Sequence, residues 1–244
     1  MTGGIAISAV VPVKDEAGNV APLAREIAAA LAQGDVAQAH EIIFVDDGST
    51  DATPRELAAL KAEIPSLRVL RHGRNLGQSR GIRSGVMAAR GGIIVTLDGD
   101  GQNDPADIPK LLEMLRSDPG LGMVSGVRVK RKDTASRRLA SRIGNGFRNA
   151  MLGDGASDTG CGLKAFHRQM YLNLPYFDHM HRFLIALAQR EGFRVSYVPV
   201  NHRPRLQGAS KYTNLGRLLV SAQDLLGVRW LQRRHRGPAD IQEL

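Results

Sequence analysis

The sequence has few cysteines, few aromatic residues and no long apolar run, and each shortage argues against a class of protein. A single cysteine, Cys161, among 244 residues rules out an internal disulfide and fits a reducing compartment. Aromatic residues make up 5% of the chain, which counts against a protein that stacks nucleic-acid bases on its side chains. No run of about 20 apolar residues is present, so no membrane-spanning helix is predicted. The amino-terminal residues have no basic and apolar regions typical of a signal peptide.

Basic residues outnumber acidic ones. The 33 lysines and arginines against 24 aspartates and glutamates give a formal charge of +9. Such a surface attracts polyanions or anionic lipid headgroups, and the same charge can also serve solubility alone. Charge by itself therefore does not choose among these explanations.

Apolar runs alternate with helical periodicities along the first half of the chain. This rhythm is typical of an α/β fold with a mostly parallel sheet and helices on both faces. Asn19 and Asp51 are predicted to cap two of the helices. The predicted strands are residues 5–13, 41–45, 67–70, 92–97, 122–129, 161–167 and 193–200, and later helices are predicted at 78–90, 105–116, 135–152 and 180–191.

Carboxylates stand at the ends of three predicted strands. In a parallel sheet these ends share one edge, where ligands bind in open α/β sheets. Asp98 and Asp100, one residue apart and each followed by a glycine, suit a divalent cation that keeps other positions for phosphate and water. Like charges this close are unfavourable without a cation, so we prefer metal binding to a turn role. The other acids are Asp15, Glu16, Asp46 and Asp47. The pattern indicates an enzyme that handles a diphosphate, most simply a nucleotide-sugar.

Six short motifs occur in a fixed order between about residues 5 and 231. They are VPVKDE at 11–16, VDDGSTD at 45–51, NLG at 75–77 with Gly81 and Gly85 following, DGDGQ at 98–102, DTGCGLK at 158–164 and RLQGASK at 205–211. Together they resemble the motifs of family-2 glycosyltransferases with the GT-A fold, and more closely those of dolichyl- and polyprenyl-phosphate sugar synthases. The resemblance implies a Rossmann-like, mostly parallel sheet and a metal-dependent, inverting sugar transfer from a nucleotide-sugar.

The resemblance also implies which residues hold the donor. Pro12, Lys14 and Glu16 line the base pocket, and Asp47 holds the base or ribose. The full nucleotide-binding set is Pro12, Lys14, Glu16, Asp46, Asp47, Ser49 and Asp98. The implied ligands of Mg²⁺ or Mn²⁺ are Asp98, Asp100 and Gln102.

A second implied set faces the acceptor and the phosphates. Arg128 faces the acceptor or the diphosphate, and Asp158 either orients the acceptor or Lys164, or fixes a loop. His181 and Arg182 lie toward the donor sugar, and Arg182 and Ser210 contact a phosphate. The implied catalytic residues are Asp100, Asp158, Arg128, Arg205 and Lys211. Arginine and lysine at such positions stabilise the charge that develops on a leaving diphosphate.

The motif around the metal acids departs from the commonest family pattern at two positions. Gly101 and Asn103 stand where leucine and aspartate are more usual. We expect Gly101 to loosen the loop and Asn103 to remove one negative charge. We expect metal binding to survive, because both carboxylates remain.

The carboxyl-terminal segment is predicted to form amphipathic basic helices. Leu215, Leu218, Leu219, Ala222, Leu225 and Leu226 are assigned to one apolar face. That face either packs on the domain or lies in a membrane interface with Trp230 and the arginines as anchors. The predicted division is a catalytic domain at 1–212, these helices at 213–236 and a disordered tail at 237–244.

Three functions from different classes remain open at this point. The first is a peripheral enzyme on the cytoplasmic face of a membrane that moves a sugar, from GDP-mannose or a UDP-hexose or UDP-uronic acid, to a polyprenyl phosphate. The second is a family-2 transferase with a soluble glycan or protein acceptor. The third is a nucleic-acid-binding protein, which the charge suggests and the shortage of aromatics and reader motifs opposes. We expect a nucleotide-sugar, a polyprenyl phosphate and an anionic membrane surface as partners, and no nucleic acid.

Overall fold

One seven-stranded sheet organises the described part of the chain. The computed structural model describes residues 5–33, 39–129, 144, 146–156, 158–204 and 214–237, with backbone alone at 214–221. The strands are β1 Ile7–Val13, β2 His40–Asp46, β3 Leu67–Arg71, β4 Ile93–Thr96, β5 Leu121–Arg128, β6 Lys164–His167 and β7 Arg194–Val200. Their spatial order is β3-β2-β1-β4-β6-β5-β7.

All strands but β6 run in the same direction. Strand β1 is parallel to β2 and β4, β2 is parallel to β3, and β5 is parallel to β7. Strand β6 is antiparallel to both neighbours, β4 and β5. The predicted mostly parallel α/β sheet is therefore confirmed, and the reversed strand brings the start of β6 to the edge where the parallel strands end.

Helices cover both faces of the sheet, as predicted. They are α1 Val20–Leu31, α2 Thr53–Glu63, α3 Gln78–Ala88, α4 Ile108–Ser117, α5 Arg168–Asn173, α6 Leu184–Arg190 and α7 Asn214–Arg234. One face buries α1, α2 and α4 through residues such as Ile27, Leu57 and Leu111. The other buries α3, α5, α6 and the end of α7 through residues such as Val86 and Met170.

Strand β1 shows why the centre of the sheet forms where it does. Its seven residues, Ile7–Val13, are all buried. A continuous apolar run is typical of a parallel strand covered on both faces. Glycines Gly81 and Gly85 of α3 allow that helix to lie directly against β1, because a Cβ at Gly85 would come within 2.3 Å of Val10.

Several predicted helix starts differ from the structure. Pro105–Asp107 is a separate 3-10 turn before α4, and Met180–Arg182 is another before α6. Asn19 occupies the cap position of α1, but its side-chain amide donates to Glu16 and does not cap the helix. Asp51 does accept a hydrogen bond from the Thr53 amide, so its carboxylate binds the start of α2.

The carboxyl-terminal segment is one helix where several were predicted. Leu225 and Val228 of α7 are buried against the domain, whereas Leu226 is 62% and Trp230 57% exposed. The assignment of Leu225 and Leu226 to the same face was therefore wrong, because adjacent helical residues lie about 100° apart. Among the described residues, no helix is long and apolar enough to cross a membrane.

Three other predictions fall partly or wholly outside the described residues. Of the helix predicted at 135–152, residues 146–152 are helical and most of the rest lies outside. Arg205, Ser210, Lys211 and residues 238–244 also lie outside. The domain division at residue 212 stays a prediction.

Candidate active site

The sequence-predicted acids gather at the carboxyl edge of the sheet, around the junction of β1 and β4. From β1 the sheet continues to β2 on one side and to β4 on the other. Such a switch point leaves a crevice beyond the strand ends, which is where open α/β sheets bind ligands. Asp15, Asp47 and Asp98 follow the ends of the three strands that meet there.

The loops after β1 and β2 hold each other in place. The Asp15 amide donates to Ser49 Oγ at 2.8 Å, and the Thr50 amide donates back to Asp15 Oδ1 at 2.8 Å. Lys14 Nζ donates to the carbonyl of Gly48 at 3.1 Å. Asp15 has a φ of 51°, which is uncommon for a residue with a side chain and is held by these reciprocal bonds.

Asp46 and Asp47 are adjacent in sequence and engage different partners. Asp46 is fully buried, accepts from the Ser49 amide at 2.9 Å and lies 3.1 Å from Arg71 Nε. Asp47 accepts from the backbone amides of Leu76 and Gly77, both at 2.8 Å, and contacts His72 Nδ1 at 2.7 Å.

Asp47 therefore fixes the chain that begins α3, and its predicted contact with base or ribose stays a prediction. Gly48, between this acid and Ser49, has a φ of +70° and lies so close to Arg74 that a Cβ would come within 2.7 Å of that backbone.

Pro12 and Glu16 frame the same crevice. A Cβ at Gly81 would lie 2.9 Å from Pro12 Cβ, so α3 packs directly over the end of β1. The Glu16 amide donates to Thr53 Oγ1, and its carboxylate accepts from Asn19. These contacts place the predicted base-pocket residues on a braced surface.

Asp98 occupies the centre of the site. Its Oδ1 accepts from Gln78 Nε2 at 2.7 Å, and its backbone amide donates to Asn103 Oδ1 at 3.0 Å. Removal from water and the nearby charge of Asp100 raise the pKa of Asp98 to about 6. A Cβ at Gly162 would lie within 2.3 Å of the Asp98 carboxylate, so this glycine leaves the room that the acid occupies.

The loop that follows Asp98 makes a tight turn. Asp100 Oδ1 accepts from the Gln102 amide at 3.1 Å, and Gly101 has a φ of +72°. This is the left-handed region that favours glycine, so the turn itself explains a glycine at position 101. The loosening of the loop that we expected from Gly101 stays a prediction. Asn103 is buried and supplies the oxygen that binds the Asp98 amide.

Arg203 ties this loop to the rest of the molecule. Its amide donates to the Gln102 carbonyl at 2.9 Å, and its guanidinium contacts Asp104 at 2.5 Å and Glu26 of α1 at 2.6 Å. Asn103 also forms a β-bridge with His202. His202 and Arg203 are thus anchored to the loop that carries Asp98 and Asp100.

The residues around Asp98 fit a divalent metal ion that is coordinated partly by the protein and partly by a substrate. Two carboxylates close enough to raise a pKa are a hard, negative oxygen set of the kind Mg²⁺ and Mn²⁺ prefer. Within the described ranges no group of three or more His, Cys, Asp or Glu side chains gathers as a closed metal site. The arrangement suits a cation held by Asp98 and Asp100, with its remaining positions available to phosphate oxygens and water.

Arg128 and Asp158 form a bidentate pair beside the metal acids. Arg128 Nε and Nη2 donate to the two carboxylate oxygens of Asp158 at 2.8 and 2.7 Å. Burial opposes the charged guanidinium, but the hydrogen bonds and charge of Asp158 raise the pKa of Arg128 above its usual value. Asp158 therefore orients Arg128, a partner that the sequence analysis did not name for it.

Lys164, at the start of β6, carries a buried amine. It is 4% exposed, and its Nζ donates to the carbonyl of Cys161. Burial lowers the pKa of Lys164, while the charges of Asp98 and Asp158 favour its protonated form. The Cys161 thiol is buried next to it, and this burial raises its pKa.

The 3-10 turn at Met180–Arg182 reaches α3 from the far half of the chain. Ser79 Oγ and His181 Nδ1 are 2.7 Å apart, and the His181 amide donates to the same hydroxyl at 3.2 Å. His181 is thereby placed beside the start of α3, one residue from the Gln78 that binds Asp98. The predicted sugar-side roles of His181 and Arg182 stay predictions.

Sequence reasoning missed or only partly identified three groups of the site. Gln78 and Ser79 were not proposed as site residues, and Lys164 was named only as a group that Asp158 could orient. Gln78 and Ser79 directly follow the Asn-Leu-Gly motif, which was a usable signal. Lys164 is paired with Thr96 across two antiparallel strands, and no local pattern reveals that pairing.

The fold and this site define an α/β protein whose central strands end in a cluster of carboxylates, the place where open α/β sheets bind ligands. The chain matches glycosyl transferase family 2 over residues 8–174, and it belongs to that family. It is 35% identical over 233 residues to the dodecaprenyl-phosphate galacturonate synthase of Rhizobium johnstonii, covering 93% of this chain and 67% of the relative.

A second relative has a related name. The chain is 35% identical over 223 residues to the undecaprenyl-phosphate 4-deoxy-4-formamido-L-arabinose transferase of Edwardsiella ictaluri, covering 90% of this chain and 66% of the relative. This chain thus spans about two thirds of the length of these curated relatives. The predicted membership in family 2 is confirmed.

Solved structures show the same fold. The mannosyltransferase from Pyrobaculum calidifontis, in complex with GDP-Man and Mn²⁺, matches with a TM-score of 0.66 at 20% identity over 98% of this chain and 67% of that one. Glucosyl-3-phosphoglycerate synthase from Mycobacterium tuberculosis, in complex with Mn²⁺, UDP-glucose and phosphoglyceric acid, matches with a TM-score of 0.65 at 18% identity over 93% and 79%. The predicted GT-A type of fold is confirmed.

Proposed function

We propose that this protein transfers a sugar from a nucleotide-sugar to a polyprenyl phosphate with inversion at the anomeric carbon. The observation that carries the proposal is the pair Asp98 and Asp100, set at the switch point of the sheet with the basic side chains of Arg128 and Lys164 nearby. The two carboxylates suit a metal ion bound to the donor diphosphate, and the basic side chains suit an anionic acceptor. The two relatives, a dodecaprenyl-phosphate synthase and an undecaprenyl-phosphate transferase, support this choice of acceptor.

The donor binds across the loops after β1 and β2. The braced loop pair of Lys14 to Glu16 and Asp46 to Ser49 forms the wall for base and ribose. Asp47 acts there mainly through the start of α3, which it holds by two backbone hydrogen bonds. Asp98, Asp100 and Gln102 would hold Mg²⁺ or Mn²⁺, and the cation would supply charge neutralisation for the leaving diphosphate.

The transfer is a direct displacement. An oxygen of the acceptor phosphate forms a bond to the anomeric carbon, while the bond from that carbon to the diphosphate oxygen breaks and the nucleoside diphosphate leaves with the electron pair. A phosphate monoester is already anionic at neutral pH, so the site needs no strong general base. Arg128, held by Asp158, orients the acceptor phosphate or the diphosphate, and positioning supplies much of the catalysis.

The acceptor also explains the basic carboxyl-terminal helix. A polyprenyl phosphate resides in a bilayer, so the enzyme works at a membrane surface, on its cytoplasmic face. Exposed Leu226 and Trp230 together with arginines of α7 are the kind of groups that bind membrane interfaces. Arg205, Ser210 and Lys211 are proposed to contact the phosphates.

The test is a transfer assay with the purified full chain. A panel of GDP-mannose, UDP-hexoses and UDP-uronic acids is offered with undecaprenyl phosphate in detergent or vesicles, with Mn²⁺ or Mg²⁺. We expect a lipid-linked sugar from at least one donor, and none after EDTA treatment. The variant R128Q is expected to lower kcat/KM for the lipid acceptor by roughly 100-fold, because it removes a bidentate cation from the site.

A soluble acceptor set provides the contradicting outcome. The same donors are offered with phosphoglyceric acid and with free oligosaccharides. Transfer to these acceptors, with none to undecaprenyl phosphate, would refute the proposed acceptor while leaving the donor site intact. Sugar hydrolysis alone, with no lipid product from any donor, would count against it equally.

A further inference from the structure

A cavity of about 310 Å³ lies between α6 and α7, away from the donor site. Its lining includes Gln189 and Arg190 at the end of α6 and, from α7 and just beyond it, Arg229, Gln232, Arg233 and His235. The strand after α6, β7, starts beside the first residue of β5, so this end of α6 lies toward the amino edge of the sheet. Asp98 lies at the opposite, carboxyl edge. We call this space the basic cavity.

The charge of the basic cavity is positive. Arg190 is committed to the structure, because its Nε donates to the Leu231 carbonyl at 3.1 Å and its Nη1 pairs with Glu191. His235 also faces Glu191, at 4.0 Å. Within the described residues, Arg229 and Arg233 have no carboxylate within ion-pair distance. The lining thus contains three arginines, of which only Arg190 pairs with Glu191, and this excess of positive charge attracts an anion.

The wall of the cavity is held rigidly. Gln232 Nε2 donates to the Leu152 carbonyl at 2.9 Å, and Gln189 Nε2 donates to the Asp154 carbonyl at 3.1 Å. Val228, on the same side of α7, is fully buried. The two unpaired arginines are therefore presented from a docked helix.

An exposed apolar surface adjoins these arginines. Leu226 and Trp230 are four residues apart and share one side of α7, and Arg229 and Arg233, also four apart, lie on the adjoining side. Leu226 is 62% and Trp230 57% exposed, and Arg234 lies 5.7 Å over the Trp230 ring. A ligand with a phosphate for the arginines and hydrocarbon for Leu226 and Trp230 would match both surfaces.

We propose that the basic cavity binds the phosphate of an anionic phospholipid headgroup and so docks α7 on a bilayer. A guanidinium pair on a preformed wall suits phosphate, because arginine presents several donors in a planar fork. The occupant is a lipid and not free phosphate, since the exposed leucine and tryptophan would otherwise have no apolar partner. This inference deepens the membrane association proposed above and rests on it.

The test compares two arginine pairs of equal charge in the full chain. R229Q/R233Q removes the pair that lines the cavity, and R234Q/R236Q removes two exposed arginines of the same helix end that do not line it. Partitioning to phosphatidylcholine vesicles containing phosphatidylglycerol is measured by co-sedimentation. We expect the cavity pair to lose roughly tenfold or more in partition coefficient, and the control pair clearly less.

Equal losses in the two double variants would overturn the proposal, because general attraction to an anionic surface depends only on charge. Binding of wild type to vesicles of phosphatidylcholine alone, as strong as to mixed vesicles, would also overturn it. Calorimetric titration with inorganic phosphate separates the sources. Tight binding of free phosphate by wild type, lost in R229Q/R233Q with no change in vesicle partitioning, would refute the lipid assignment.

Two further measurements keep the result interpretable. W230S is expected to weaken vesicle partitioning while leaving thermal stability unchanged, since its ring is mostly exposed; unchanged partitioning would count against the lipid. Melting temperatures of all variants should match wild type, because the substituted arginines make no ion pair to a carboxylate of the described chain. Vesicle binding needs no sugar transfer, so a failed transferase assay and a failed headgroup site give different results.

Discussion

Glu41 and Asp98 lie at opposite edges of the same sheet, and their surroundings differ. At the amino edge, Glu41 accepts from Ser8 Oγ at 2.7 Å, from the Arg90 amide at 2.6 Å and from Arg68 Nη1 at 2.5 Å. Burial raises its pKa, but these hydrogen bonds outweigh burial and the net effect is a lowered pKa. At the carboxyl edge, Asp98 accepts a hydrogen bond from Gln78. Burial and the charge of Asp100 raise its pKa to about 6, and the nearby Lys164 and Arg128 offset this rise only in part.

The difference distinguishes a carboxylate that stabilises the fold from one that serves ligand binding, although both belong to the same sheet. A buried carboxylate whose charge is matched by protein donors stabilises the fold. A carboxylate whose charge is not matched is unfavourable in the free protein and becomes favourable when a cation binds. At the amino edge of the sheet, protein groups thus bind the buried carboxylate, whereas at the carboxyl edge the carboxylates need a bound ligand to balance their charge.

Replacing Asp98 should give the largest effect and the sharpest contrast. We expect D98N to lower metal-dependent sugar transfer by roughly 1,000-fold, because the metal loses a charged ligand. Thermal stability should stay the same or rise at neutral pH, since an unmatched charge is removed. Activity assays and melting curves on the same preparation test this. A D98N protein that is both active and destabilised would break the comparison.

Replacing Glu41 should give the reverse result. We expect E41Q to lower the free energy of unfolding by about 3 kcal/mol, because Arg68 loses its buried counter-charge. Activity per folded molecule should be unchanged. E63Q is the matched control, since Glu63 pairs with Arg25 on the surface and its loss should amount to less than about 1 kcal/mol. Chemical denaturation measures both, and equal losses would contradict the assignment of a buried network.

A methyl group at Gly162 should disturb the functional edge alone. The added Cβ would lie within 2.3 Å of the Asp98 carboxylate, so G162A should displace that acid and lower activity by roughly 10- to 100-fold. G92A is the control, because a Cβ at Gly92 meets nothing within 4 Å. Kinetic constants at saturating Mn²⁺ decide the matter. An inert G162A would mean that the position of Asp98 is not critical.

Acid should affect the two edges in opposite directions. The folded pKa of Asp98, about 6, exceeds its ordinary 3.8, so its charge destabilises the fold above pH 6 and this penalty fades as pH falls toward 3.8. Below pH 6 the proton competes with the cation, and the apparent Mn²⁺ affinity should drop by up to about tenfold per pH unit.

For Glu41 the folded pKa is lower than its ordinary 4.5, so its stabilisation is full above pH 4.5 and is lost as pH falls through the lowered value. The stability advantage of D98N should therefore shrink between pH 8 and pH 5, while the deficit of E41Q stays constant there. Melting curves over this range measure both differences. A D98N advantage that grows on acidification would contradict the raised pKa of Asp98.

Local signals were enough to predict much of this edge. An acid directly after an apolar run marks a strand end, so Asp47, Asp98 and Asp100 could be found without a structure. The partners of Asp47 could not be predicted in this way, because the amides of Leu76 and Gly77 come from a loop about 30 residues away in sequence.

Long-range pairings escaped prediction for the same reason. Lys164 reaches Asp98 only because β6 is antiparallel and inserted between β4 and β5. His181 meets Ser79 across 102 residues. On α7, the spacing of the apolar residues predicted an amphipathic segment. Which leucine is buried depends on how the helix packs on the domain, and Leu225 is buried whereas the adjacent Leu226 is exposed.

The burial of Cys161 makes the site open to a chemical experiment that needs no substrate. This thiol is 1% exposed, its pKa is raised, and it is the single cysteine of the chain. An alkylating reagent can therefore modify the protein only when the segment beneath Asp98 and Lys164 transiently opens. The labelling rate reports how often that segment opens. A lower rate in the presence of a nucleotide-sugar and Mn²⁺ would measure how much the ligand stabilises the segment against opening.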